Sequence, residues 1–195
     1  SPAFSSDGKY LYFAASTNSG PIQVGLNMTS QERPYRAALY AMVLAADGKS
    51  PLLPESGDEE GAGDEKDKEG KEEKDEKAKE EKDDKKTPET RIDLNGLAGR
   101  IVALPVAQSN YSNLAVGKDN NLYYVQRVQP GISVEPPGEN SAEDNELIRF
   151  DFEEKETKTL VSAVQGFVMS ARGSHLVIRK TNGSLVVAEV GDKLE

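Results

Sequence analysis

A short cassette of polar and apolar positions recurs along the chain and predicts its strands. In its clearest copy, residues 4–13, a small or apolar lead-in precedes a two-residue Asp-Gly turn and then an alternating run of aromatic and aliphatic residues. Looser copies span residues 114–125 and 167–178. Alternation with a period of two is typical of a β-strand, and Asp-Gly before it suits a tight hairpin.

The spacing of the cassettes predicts how the strands are arranged. Recurrence at about 50 residues is typical of small antiparallel sheets that bury their faces only by stacking on neighbours, as in a propeller. Removing residues 55–90 from the 195-residue chain leaves 159 residues. At about 40 to 50 residues per blade this allows about three to four blades, whereas ring closure usually needs about four to eight. We therefore expect an all-β fold, a partial β-propeller whose terminal blades expose edges through which the isolated segment would aggregate.

Other apolar segments extend the prediction to roughly ten strands. They lie at residues 9–15, 101–104, 122–128, 146–152, 157–161, 167–170, 175–179 and 185–190. Residues 37–46 contain alanines that permit a helix, but the following Asp47-Gly48-Lys49 hairpin signal and the repeat favour a strand. Residues 17–34 and 129–145 are predicted loops. In the segment 146–152, alternation places Leu147, Arg149 and Asp151 on one face of the strand.

A charged, low-complexity stretch interrupts the strand pattern at residues 55–90. Residues 58–86 hold 15 acidic and 9 basic residues, a net charge of −6 out of the total of −10. Such a composition buries too little apolar area to offset the entropy of ordering. We therefore predict three parts: propeller blades at 1–54, a disordered acidic insertion at 55–90, and further blades at 91–195.

Composition excludes several classes of partner. The net negative charge argues against nucleic acid and against anionic membrane surfaces. The longest apolar run has ten residues, too few to span a bilayer. The sequence has no cysteine, so disulfides and thiolate chemistry are excluded. It opens on Ser1 and a strand cassette without a visible signal peptide, and we expect it to be a piece of a longer protein.

The sequence offers no candidate catalytic residue. His175 is the only histidine in the sequence and follows Ser174; successive strand side chains point to opposite faces, which argues against a catalytic Ser-His pair. The chain has no Gly-x-Ser-x-Gly elbow, no phosphate-binding glycine loop and no zinc or calcium spacing. Glycosylation patterns begin at Asn27, Asn110 and Asn182, a number that chance explains. We predict no catalytic, cofactor-binding or metal-ligating residue, and no cofactor.

Residues 91–111 read RIDLNGLAGRIVALPVAQSNY and resemble a segment of the tricorn-type proteases. In that family Ile-Asp-Leu-x-Gly precedes Arg-Ile-Val-x-Leu-Pro-Val and a following Asn-Tyr. The matching positions are Ile92, Asp93, Leu94, Gly96, Arg100, Ile101, Val102, Leu104, Pro105, Val106, Asn110 and Tyr111. Residues 1–13 and 166–178 also resemble the propeller repeats of this family, which TolB-like and prolyl-oligopeptidase-type propellers share. The resemblance covers nearly the whole chain except the charged insertion.

The resemblance implies a function for the parent protein. It implies a large serine peptidase (a hydrolase active in proteolysis) with two propellers, a PDZ-like domain and catalytic domains whose residues have no counterpart here. This segment would then guide or gate peptide substrates or unfolded polypeptide, beside the rest of the parent chain and inside a homo-oligomer. Archaeal members of the family suggest a cytoplasmic location, with a periplasmic or secreted one as the alternative. A TolB-like, non-catalytic binding scaffold is the second hypothesis, and a carbohydrate-active propeller the third.

Overall fold

Three antiparallel sheets make up most of the fold. A computed structural model of the chain describes residues 2–17, 22–23, 31–32, 36–53, 90–128 and 145–191. The strands in those residues are β1 (Ala3–Phe4), β2 (Tyr10–Ala15), β3 (Ile22–Gln23), β4 (Gln31–Glu32), β5 (Ala38–Val43), β6 (Ile101–Ala103), β7 (Asn110–Val116), β8 (Leu122–Arg127), β9 (Glu146–Asp151), β10 (Glu156–Ser162), β11 (Val164–Met169), β12 (His175–Lys180) and β13 (Leu185–Glu189). One 3-10 turn, Leu97–Arg100, precedes β6.

Each sheet is a blade that opens with one of the recurring cassettes. Blade 1 has the order β1-β2-β5-β6, blade 2 the order β7-β8-β9-β10, and blade 3 the order β11-β12-β13; β3 and β4 form a small separate pair. The first strands of the blades lie side by side, since β7 contacts both β1 and β11. The all-β class and the partial propeller are therefore confirmed, and so is the strand preferred over a helix within residues 37–46.

Two hydrophobic cores join the three blades. The core between blades 1 and 2 contains Tyr12, Leu39, Ala41, Leu104, Leu114, Leu122, Tyr124, Ile148 and Phe150. The core between blades 2 and 3 contains Tyr123, Val125, Leu147, Val164, Phe167, Leu176, Ile178 and Val190. Blade 2 contributes to both cores because successive side chains along β8 point to opposite faces. This explains why residues 122–125 form an uninterrupted apolar run.

The same local geometry recurs at the first turn of every blade. The amides of Gly8, Asn120 and Gly173 each donate to the carbonyl three residues earlier, at 3.1, 3.0 and 2.8 Å. All three residues are left-handed, with φ of 72°, 60° and 65°. The loops are longer than the two-residue turn expected from the sequence. In blade 1, for example, the closing backbone hydrogen bond joins Ser5 to Tyr10.

Several other local predictions need correction. Asp47-Gly48 does not close a tight hairpin: Gly48 donates to Ala45, but β5 pairs with β6, which begins at Ile101. The predicted loop at residues 17–34 contains β3 and β4, and β7 was recognised only in its second half. The predicted disordered insertion lies outside the described residues except for Thr90, so its disorder and the three-part division remain predictions. In the described ranges no helix is long and apolar enough to cross a membrane.

Tyr12 provides a first test of the core between blades 1 and 2. Its side chain is fully buried, and its hydroxyl has no hydrogen-bond partner among the described residues. Burial also raises the pKa of this phenol above its ordinary value. Because the buried hydroxyl gains no hydrogen bond, Tyr12→Phe should leave the free energy of unfolding unchanged or raise it by up to about 1 kcal/mol. Urea unfolding of Tyr12→Phe measures the change in the free energy of unfolding. A decrease of more than about 1 kcal/mol would show that the Tyr12 hydroxyl forms a hydrogen bond in the folded protein.

Candidate functional site

The first turns of the three blades form a continuous series at one end of the sheets. The Ser6 hydroxyl donates to Oδ1 of Asn120 at 2.8 Å, which links the turns of blades 1 and 2. The Lys118 amide donates to the carbonyl of Gly173 at 2.8 Å, which links the turns of blades 2 and 3. These bonds join residues far apart in sequence, so the turns fix how each blade sits on the next.

A polar cleft opens beside this series of turns. It has a volume of about 520 Å³ and is lined by Asp119, Asn120, Asn121, Arg149, Asp151, Phe152, Glu153, Glu154 and Gly191. A neighbouring cleft of about 330 Å³ shares Arg149, Asp151 and Glu154. Carboxylates outnumber the one cation in the lining of the larger cleft, so the cleft itself favours cationic over anionic groups.

Two of the lining carboxylates form hydrogen bonds that stabilise the fold. Asp119 accepts hydrogen bonds from the buried Tyr123 hydroxyl at 2.9 Å and from the Asn121 amide group at 3.1 Å. Asp151 pairs with Arg149, which is only 7% exposed, and caps the backbone amides of Glu153 and Glu154 at 2.9 and 3.2 Å. These carboxylates therefore shape the cleft by orienting its turns.

The pKa of Asp151 reflects these hydrogen bonds and the contact with Arg149. Burial disfavours its ionised form, but the hydrogen bond from Arg149 and those from the two backbone amides outweigh burial. The net result is a pKa below the ordinary value, so Asp151 is ionised at neutral pH. The alternation of strand residues correctly placed Arg149 and Asp151 on one face. It did not reveal that the Arg149 side chain is buried.

Ser174 and His175 come together, contrary to the expectation that strand alternation separates them. Oγ of Ser174 lies 2.9 Å from Nδ1 of His175, and Nε2 of the same ring lies 3.8 Å from Oε1 of Glu189. Strand alternation does not separate these two side chains, because β12 begins at His175 and Ser174 belongs to the preceding turn. The structure therefore aligns a Ser, a His and a Glu on its surface.

This row has the residue types of a catalytic triad without its geometry. The His175–Glu189 distance is too long for a hydrogen bond, and the Glu189 side chain is 78% exposed. The amides of Ser174 and His175 both donate to Oγ of Ser170, at 3.1 and 3.0 Å, so they are not directed at a position for an oxyanion. We therefore assign no catalytic role to this row. In the described ranges, no three His, Asp or Glu side chains are grouped so that they could hold a metal ion.

The tricorn-like stretch at 91–111 serves to hold the backbone together. Arg100 donates through Nε to the carbonyl of Val43 at 3.1 Å and through Nη2 to that of Leu44 at 3.2 Å. It also donates to the carbonyls of Asp93 and Asn95 in the loop before it. The arginine therefore fastens this loop to the end of β5. The motif residues carry structure here, and no chemistry follows from them.

Arg100 is the second test of the fold. Replacing it with Leu removes the donors to four backbone carbonyls, and we expect the free energy of unfolding to fall by about 2–3 kcal/mol. Arg100→Lys is the matched variant: it keeps the charge, but an ammonium cannot reproduce the fork of the guanidinium and should restore less than half of the loss. Chemical denaturation of both variants measures this. Full rescue by lysine would show that charge, and not the hydrogen-bond fork, stabilises the loop.

The glycosylation patterns fall in different environments. Asn182 lies in the exposed hairpin between β12 and β13, where its Oδ1 accepts a hydrogen bond from the Ser184 amide at 2.9 Å, so it acts as a turn residue. Asn110 is half-buried and donates to the carbonyl of Val128 at 3.1 Å. Asn27 lies outside the described residues. Neither Asn110 nor Asn182 is among the residues that line the cleft.

Comparison with known proteins gives two similar proteins and no matching family model. The chain is 30% identical over 192 residues to tricorn protease homolog 1 of Streptomyces coelicolor. The aligned stretch covers 96% of this chain and 16% of that protein. A crystal structure of the tricorn protease matches with a TM-score of 0.60 at 16% identity, over 97% of this chain and 16% of the other. That second match shows the fold alone. The predicted resemblance is confirmed: along almost its whole length, this chain is similar to one segment, about a sixth, of a tricorn-type protease.

Proposed function

We propose that this chain is a non-catalytic propeller segment of a tricorn-like serine peptidase, where it guides or gates peptide substrates. The first strands of the three blades lie side by side, with β7 between β1 and β11. This arrangement is the observation that carries the proposal. Within the described sheets each of these strands is paired along one edge. The other edge can offer backbone hydrogen bonds to an extended peptide, a mode of binding that depends little on sequence.

The chain spans 16% of the curated relative that it matches, so peptidase activity would belong to modules elsewhere in that protein. We propose the rest of the parent chain and peptides or unfolded polypeptide as partners, a homo-oligomeric assembly, and a cytoplasmic location. Weak and broad binding suits a segment that must release each peptide after it has passed.

Peptide guidance can be tested in the full-length protein with substrates of two lengths. Gln165 is an exposed residue of β11 whose backbone carbonyl accepts from Arg127, so Gln165→Trp adds bulk beside the first strands without breaking that bond. We expect kcat/KM to fall for an unstructured peptide of protein-like length and to stay unchanged for a short fluorogenic peptide. Thr157→Trp, at an exposed position on the outer strand β10, is the control. Equal loss for both substrates would contradict guidance.

The competing function is a TolB-like scaffold without enzymatic activity. The exposed apolar side chains of blade 3, with Val168 at 69% and Leu185 at 67%, favour it because they offer surface for a protein partner. A serine-directed fluorophosphonate probe on the full-length protein separates the two. Labelling of a serine outside this segment supports the peptidase, and absence of labelling in a folded, full-length preparation supports the scaffold.

A further inference from the structure

Asp-Gly or Asn-Gly steps occur in the sequence at residues 7–8, 47–48, 95–96 and 182–183. In such a step the glycine nitrogen can attack Cγ of the preceding side chain, because glycine has no Cβ to block the approach. A glycine amide that donates a hydrogen bond is held back from this reaction. The amides of Gly8, Gly48 and Gly183 are held in this way, since each donates to the carbonyl three residues earlier, at 3.1, 3.2 and 3.0 Å.

The step from Asn95 to Gly96 differs from the other three. Within the described residues the Gly96 amide donates to no acceptor, and the turn is closed by the next amide, from Leu97 to the carbonyl of Leu94 at 3.3 Å. Exposure does not distinguish this step from the one at 182–183, since all four residues of the two steps are exposed. The difference lies in the hydrogen bonding of the glycine nitrogen.

Arg100 lies against the peptide group that joins Asn95 to Gly96. Its Nη1 donates to the Asn95 carbonyl at 2.8 Å, and a Cβ on Gly96 would lie 3.7 Å from the same nitrogen. When the Gly96 amide loses its proton, negative charge spreads onto the carbonyl oxygen of that peptide group. A guanidinium at hydrogen-bond distance stabilises this charge, as the donors of an oxyanion hole do. The geometry therefore favours the deprotonated, reactive form of the Gly96 nitrogen.

We propose that Asn95 is a site of spontaneous deamidation, and that the fold directs the reaction to Asn95 and away from Asn182. The Gly96 nitrogen gives its proton to a solvent base and bonds to Cγ of Asn95. The bond from Cγ to the side-chain nitrogen breaks, and this nitrogen takes a proton from water and leaves as ammonia. Water then opens the resulting succinimide at either carbonyl, which yields aspartate or isoaspartate.

The isoaspartate product changes the loop that Arg100 fastens to β5. An isoaspartyl residue carries the chain through its Cβ, so the backbone between Leu94 and Gly96 becomes one methylene longer. The added length displaces both the hydrogen bond that closes the turn and the carbonyl that accepts from Arg100. Protein in which Asn95 has reacted should therefore contain a fraction of lower stability.

Peptide mapping of the full-length protein measures both asparagines in one sample. Trypsin releases residues 92–100 and 181–193, each with one Asn-Gly step. After incubation of the folded protein in mildly alkaline buffer, Asn95 should have deamidated about tenfold faster than Asn182, whose glycine amide must first break its hydrogen bond. In protein unfolded by guanidinium chloride both glycine amides are free, and the two rates should agree within about threefold. A sample digested without incubation gives the background.

The ratio of the two rates decides the proposal. A preference for Asn95 that is no larger in the folded protein than in the unfolded protein would overturn it. Electron-transfer fragmentation of the 92–100 peptide distinguishes aspartate from isoaspartate, and both products should appear in the folded sample. A peptide that keeps its amide throughout the incubation would also overturn the proposal.

Asn95→Gln and Asn182→Gln are matched variants for the effect on stability. Glutamine must close a larger ring and reacts far more slowly, so each variant silences one step and should leave the rate of the other unchanged. Urea unfolding of incubated samples should show the less stable fraction in the wild type and in Asn182→Gln, but not in Asn95→Gln. A fraction of equal size in all three proteins would show that the reaction at Asn95 does not loosen the loop.

Discussion

Gly173→Ala is expected to lower the free energy of unfolding by about 2–4 kcal/mol, because two separate costs add at this position. Gly173 has a φ of +65°, which a residue with a Cβ adopts only under strain. A Cβ there would also lie 2.7 Å from the Lys118 nitrogen and 3.0 Å from the carbonyl carbon of Gly117. Both obstacles are backbone atoms, so the turn of blade 3 must move away from blade 2. Equilibrium unfolding in urea measures the loss.

Gly183→Ala is the matched control for this prediction. Gly183 also has a positive φ, +84°, but a Cβ there would meet nothing within 4 Å. Only the conformational strain applies, and we expect a loss of about 1 kcal/mol. The difference between the two variants therefore measures the contact between the turns of blades 2 and 3. Equal losses would show that this contact contributes nothing to stability.

The strands were predictable from sequence wherever their alternation was strong. Residues 146–152 alternate clearly, and β9 places Ile148 and Phe150 in one core and Leu147 in the other, as the pattern requires. β7 was predicted only in part, because its polar residues Ser112 and Asn113 weaken the pattern. Asn113 has a φ of 59° and lies where the register with β8 shifts. A register shift of this kind leaves no periodic pattern of polar and apolar residues that a sequence could show.

The arrangement of the site depended on contacts that no local pattern encodes. The cassettes at residues 114–125 and 167–178 were visible in the sequence, but the hydrogen bond from Lys118 to Gly173 exists only once two blades are stacked. In the same way, alternation placed Arg149 on one face of its strand but did not show that its side chain is buried. The sequence therefore predicted the strands of each blade better than the contacts between blades.

Asp151→Asn is the second large effect that we expect, a loss of about 2–4 kcal/mol at neutral pH. The substitution removes the negative charge beside Arg149, which is 7% exposed, so a buried cation loses one charged partner. An asparagine oxygen can still accept from the amides of Glu153 and Glu154, so the variant isolates the charge from the capping. The double variant Arg149→Met/Asp151→Asn should recover part of the loss, because a neutral pair has no charge to desolvate. A double variant no better than Asp151→Asn would locate the loss elsewhere.

The pH dependence of this loss follows from the direction of the pKa shift. The pKa of Asp151 is lowered in the folded protein, so its contribution to stability is fully present above the pKa of the unfolded chain, about 4. The contribution disappears as pH falls through the folded value, where the wild-type carboxyl becomes neutral like the amide of the variant. The stability difference between wild type and Asp151→Asn should therefore be constant from about pH 5 to 8 and shrink below about pH 4. Urea unfolding of both proteins across this range measures it, and a difference that persists undiminished to pH 2 would contradict a role for the ionised carboxylate.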